Sequence, residues 1–166
     1  MLNSLFSPRG KQLFHEGLTL TKLGKYENAI SFFDRALELS PNYHEALINK
    51  GKALTNLGRY SEAIKCFDRI LELSPGNIDA WFCKGLALFY QEKYEQAVYY
   101  FDNVLSTYPD DVNTWLEKGS ALFYQDKYEE SIRCFDMVLS LDYGNESARC
   151  NREDAMTALQ KKSSGL

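Results

Sequence analysis

The chain repeats itself every 34 residues. The segment from Ala80 to Leu105, AWFCKGLALFYQEKYEQAVYYFDNVL, returns 34 positions later as TWLEKGSALFYQDKYEESIRCFDMVL, from Thr114 to Leu139. A unit of that length is one supersecondary element. It cannot bury its apolar face alone and must stack on its neighbours, so the period selects a repeat architecture over a single closed core. Four units follow from the register, at residues 10–43, 44–77, 78–111 and 112–145. Residues 1–9 form a leader, residues 146–162 read as a capping helix, and residues 163–166 read as a flexible tail.

Each unit reads as helix, short turn, helix. Counting from the start of a unit, position 4 is Leu13, Leu47, Trp81 and Trp115, and position 11 is Leu20, Leu54, Leu88 and Leu122. Between them, position 8 is always glycine: Gly17, Gly51, Gly85 and Gly119. Spacings of three and four residues place these on one helical face. Glycine inside a helix costs about 1 kcal/mol relative to alanine, so its recurrence needs a reason, and close approach of the second helix supplies one. Position 20 is small as well (Ala29, Ala63, Ala97, Ser131), so small faces small. Tyr26, Tyr60, Tyr94 and Tyr128 at position 17, and Phe33, Phe67, Phe101 and Phe135 at position 24, fill the surround.

The turn within a unit carries Gly24 and Gly58 in the first two units, a helix-ending signal. Glu92 and Asp126 take that place in the last two, which predicts a different or costlier turn there. Pro41, Pro75 and Pro109 stop the second helices, and Tyr143-Gly144 ends the fourth. Ser7-Pro8 is the start signal of the first helix.

Charge and composition narrow the function. The net charge is -4, and residues 78–145 hold 12 acidic and 5 basic side chains. That field favours a basic or neutral partner and disfavours nucleic acid, whose binding needs a basic stripe and gives affinity that falls steeply with salt. A mean hydropathy of -0.40 and the lack of a long apolar run predict no membrane span. Cys66, Cys83, Cys134 and Cys150 form no CxxC pair, and His15 and His44 are the two histidines, so no metal or redox motif can be written. Cys66 and Cys134 share their position with Phe32 and Tyr100, which marks it as a packing site. There is no phosphate loop and no nucleophile–base set, so the expectation is a protein that is not an enzyme, holds no cofactor and is cytoplasmic.

The pattern W/L-x3-G-x2-L…Y-x2-[AS]-x3-F…P at this period resembles the tetratricopeptide repeat, over residues 10–145. The resemblance implies an all-α, right-handed α-solenoid of helix-turn-helix repeats with a C-terminal capping helix. It also implies a concave face lined by the first helices, through positions 2, 5, 6, 9, 12 and 13. A site known in the family clamps the C-terminal carboxylate of chaperones with lysine and asparagine. Where the clamp needs cations, this chain places Asp79 or Glu117 according to register, and Asn49 is the single match. Chaperone-tail binding is therefore rejected.

The concave positions hold instead a patch of Phe82, Leu86, Phe89, Tyr90, Leu116, Phe123 and Tyr124, flanked by Asp79 and Glu117, with Asn49 and Lys52 in the preceding unit. Position 13 is usually polar in the family, so Tyr90 and Tyr124 are expected to face a ligand. The sequence thus predicts a non-catalytic adaptor that binds an apolar or aromatic peptide or helix with some basic character. The alternative is a self-association module that uses the same groove or an array end.

Overall fold

The computed structural model describes residues 7–164, which contain nine α-helices and no strand. The helices are α1 (Pro8–Lys22), α2 (Tyr26–Leu39), α3 (His44–Asn56), α4 (Tyr60–Leu73), α5 (Ile78–Tyr90), α6 (Tyr94–Thr107), α7 (Val112–Phe123), α8 (Tyr128–Leu141) and α9 (Glu146–Ser164). The chain divides into two compact units, the first ending at Ala87 and the second starting at Leu88. Its fold is an all-α solenoid of helix pairs.

Starts and stops follow local chemistry. Ser7 caps α1, its hydroxyl accepting the Gly10 amide at 2.9 Å, with Pro8 at the first helical position. Later first helices use one cap position: Asn77, Asp111 and Asn145 each accept the amide three residues on, at 2.8, 2.7 and 2.9 Å. Tyr43 holds that position before α3 and is buried against Phe14, with ring centroids 4.9 Å apart. Residues 1–6 of the leader and 165–166 of the tail lie outside the described residues. Ser163 and Ser164 were expected in the tail but continue α9, because both hydroxyls bond back to the Gln160 carbonyl, at 2.8 and 2.9 Å.

The turns within the pairs share one backbone form. Gly24 and Gly58 have φ of 71° and 74°, and Glu92 and Asp126 adopt 61° and 57°. In each turn the amide after this residue returns to the leucine carbonyl five residues back, as from Lys93 to Leu88 at 2.9 Å. The turn is therefore the same in all four pairs, and costlier where a side chain must sit in the left-handed region. Glu92→Gly is expected to stabilise the fold by about 1 kcal/mol, read as a higher urea midpoint at unchanged slope. Asp126→Gly gains less, because the Asp126 carboxylate accepts the Tyr128 hydroxyl at 2.6 Å.

Inside each pair the glycine faces more than a small residue. A Cβ on Gly17, Gly51 or Gly119 would lie 2.5, 2.4 or 2.6 Å from the ring of Phe33, Phe67 or Phe135. Those rings are at most 1% exposed, so they cannot swing away freely. The small position lies alongside: the buried Ser131 hydroxyl donates to the Gly119 carbonyl at 2.8 Å, which satisfies the one polar group at a site otherwise held by alanine.

Between pairs, ion pairs recur as a ladder at fixed repeat positions. Lys50 meets Asp34 at 2.5 Å, Lys84 meets Asp68, Lys118 meets Asp102 at 2.6 Å, and Arg152 meets Asp136 at 2.5 Å. Each joins the second helix of one pair to the next first helix, and α9 takes its rung like any other. The aspartates are about half exposed, so each rung contributes about 1 kcal/mol or less. Glu16 holds the cation's position in α1 and accepts the Gln12 side-chain amide at 3.1 Å instead.

Candidate functional site

The second unit gathers the candidate residues into a cavity. Phe89 at the end of α5, Glu117, Ser120 and Phe123 of α7, and Tyr124 just after it line a half-open space of about 240 Å³. Phe135 closes it from α8, and Asn151 and Asp154 form the far wall on α9.

The aromatic wall is held by its own packing. Tyr124 lies nearly parallel to Tyr94, with centroids 5.1 Å apart and planes 15° apart. Phe89 meets both edge-on, at 5.8 and 5.5 Å. Phe123 in turn meets Tyr128 edge-on at 5.4 Å. Such contacts fix ring orientation and add about 0.5–1.5 kcal/mol per pair beyond area burial. Tyr90 and Tyr124 nevertheless remain 50% and 58% exposed.

The polar wall lacks internal partners. Glu117 is half-buried, and no hydrogen bond or ion pair to it exists among the described residues. Burial pushes its carboxyl above the ordinary range. Asp154 is exposed and likewise makes neither kind of bond among the described residues. No basic side chain lines the cavity.

The remaining candidates divide between the units. Leu116 is half-buried and packs on the cluster of Phe135, Val138, Ala148 and Ala155, a largely structural placement. In the first unit the Asn49 side chain donates to the Glu45 carbonyl of its own helix at 2.7 Å. Lys52 and Asp79 act in opposite senses on the buried Cys83 thiol, which burial raises to about 11. Phe82 and Leu86 are half-buried. Cys134 is likewise raised to about 11 by burial, so both thiols stay protonated at neutral pH.

Asn151 and Asp154 are the wall residues that the sequence does not single out, while Tyr94, expected as a packing position, backs the wall by stacking on Tyr124. The signal for both was present. Carrying the repeat count into α9 puts Asn151 and Asp154 at positions 6 and 9, the positions that face the groove in earlier units. On the same helix Ala148 and Ala155 are buried in its contact with the preceding pair, and Met156 is exposed.

Among the described residues no cluster of three or more metal-ligating side chains occurs, and no helix is long and apolar enough to cross a membrane. An array of helix pairs carrying an open aromatic cavity defines a repeat scaffold for protein interaction. The family described as tetratricopeptide repeat matches residues 20–82, and the one described as anaphase-promoting complex, cyclosome, subunit 3, matches residues 56–138. Sequence comparison with curated proteins gives no match. The structure is similar to that of MamA, residue 41 to the end, from Desulfovibrio magneticus RS-1, with a TM-score of 0.81 over 94% of each chain at 22% identity. It is similar to TTC0263, a thermophilic TPR protein of Thermus thermophilus, with a TM-score of 0.74, 17% identity, and coverage of 90% of this chain and 82% of that one. It is also similar to YrrB, a TPR protein with an unusual peptide-binding site, with a TM-score of 0.74, 22% identity, and coverage of 93% and 79%. At these identities the structures speak for the fold alone. The chain belongs to the tetratricopeptide repeat family.

Proposed function

We propose that the protein is a non-catalytic adaptor that holds a peptide or helix of a protein partner in the groove of its second unit. The observation that carries this is the cavity itself, walled by Phe89, Phe123 and a half-exposed Tyr124 whose orientation is already fixed. Pre-oriented rings lose little entropy on binding, which makes an aromatic wall an efficient anchor. In this reading residues 10–145 supply four stacked repeats, and the helix after them is both cap and groove wall. Neutral, buried thiols at Cys66, Cys83 and Cys134 suit a reducing, cytoplasmic setting.

The test is a peptide selection on the whole chain, followed by affinities for Tyr90→Ala and Tyr124→Ala. Tyr124→Ala is expected to weaken selected peptides about tenfold or more, and Tyr90→Ala less, because Tyr124 lines the cavity. Unchanged affinity in both variants would rule the groove out. Light scattering on the same samples reads the alternative, since a dimer that Tyr124→Ala dissociates would make a second copy the occupant.

A further inference from the structure

The cavity combines two chemistries. One side is aromatic, from Phe89, Phe123 and Tyr124, and the other carries the carboxylates of Glu117 and Asp154 beside the Asn151 amide. At about 240 Å³ it lies below the ~300–1,000 Å³ usual for small-molecule sites, so it suits one long side chain better than a whole ligand. The half-buried Glu117 carboxylate is partly stripped of water and gains no hydrogen bond or ion pair among the described residues in return, which is unfavourable until a donor reaches it. Residues 78–145 as a stretch are acidic in balance, which favours a cationic partner.

We propose that this cavity is a receptor for an arginine side chain of the partner peptide. Its guanidinium stacks against the aromatic wall while its donors reach Glu117, Asp154 and the Asn151 side-chain oxygen. Arginine fits better than lysine because a planar fork can face a ring and two carboxylates at once, whereas an ammonium is a compact, strongly hydrated point charge. A phenylalanine or leucine side chain would leave Glu117 covered and unpaired. The apolar character of the groove then serves the residues on either side of the arginine. This inference rests on the groove reading above and names the side chain that reading leaves open.

The experiment uses a phage-displayed random dodecapeptide library selected on the full chain, with affinities measured by fluorescence polarisation. The expected result is an arginine fixed at one position among apolar residues. Replacing it by norleucine, and separately changing Glu117→Gln with Asp154→Asn, should each weaken binding about tenfold or more. Combining the two should cost little more than either, because they remove one interaction. Peptides without a cation that still depend on Tyr124 would overturn the arginine proposal and leave the groove standing. If no peptide depends on Tyr124, the groove reading falls. The cavity is then judged by NMR titration with N-acetyl-arginine N-methylamide. Shifts at the amides of Ser120, Phe123 and Asn151, absent with the norleucine analogue and lost in the Gln/Asn variant, support the receptor, and their absence removes it. Circular dichroism on the variant separates lost binding from lost fold.

Discussion

Phe67→Ala is expected to cost about 3–5 kcal/mol of stability. The ring is fully buried in a cluster with Leu47, Leu54, Ile70 and Cys83, and its edge takes up the space that a Cβ on Gly51 would need. Truncation removes the transfer energy of the ring and leaves a cavity that the two helices cannot close, since Ala63 and Ala53 are already fully buried around it. Urea unfolding would show the loss as a lower midpoint. Hydrogen exchange would place it first in α3 and α4, because stability in a repeat array is a sum of local and nearest-neighbour contributions. A loss below about 1 kcal/mol would mean that the ring is not the anchor of its repeat.

Gly51→Val probes the same contact from the other side and is expected to cost about 3 kcal/mol. A Cβ would stand 2.4 Å from the Phe67 ring, and a branched side chain adds a second collision. Valine improves on glycine only slightly in helix propensity, so the clash dominates. The two changes should not add. In a Phe67→Ala background the valine enters the vacated space, and the double variant should be more stable than the sum of the single losses predicts by more than about 1 kcal/mol. Additive losses would show that glycine is needed there for some reason other than the ring.

Much of the fold could be read from the sequence because its causes are periodic. Glycine at Gly17, Gly51 and Gly119 announced close helix approach, and the recurring phenylalanine announced a core. What the pattern did not reveal was that these two make the contact. A side chain's reach across a turn depends on helix crossing, which spacing does not encode. Glu92 and Asp126 likewise left the turn undecided, and the structure resolves it as the glycine turn under strain. The ion-pair ladder was visible as Asp34, Asp68, Asp102 and Asp136 at one position and Lys50, Lys84, Lys118 and Arg152 at another. Charged surface positions have many innocent explanations, so only geometry joins them. In the groove, Phe89, Glu117, Phe123 and Tyr124 were read from register and stand around one cavity. Asn151 and Asp154 were overlooked because α9 lacks the apolar and glycine signature that marks the other first helices.

The rungs of the ladder also make the length of the array an editable quantity. Asp68 and Lys84 are sixteen residues apart in sequence, and every other rung has the same separation. Excising residues 44–77 would join Tyr43 to Ile78, bring Asp34 to that same separation from Lys84, and leave each surviving helix a neighbour of the kind it already has. Unequal recombination between repeats can therefore lengthen or shorten such a chain by whole units without mispairing charge. The two ends do not share this freedom. Glu16 breaks the charge code at one end, and at the other α9 both closes the ladder with Arg152 and supplies the wall residues Asn151 and Asp154. The interior repeats are interchangeable in kind, and what is particular to this protein lies in the last pair and the helix that follows it.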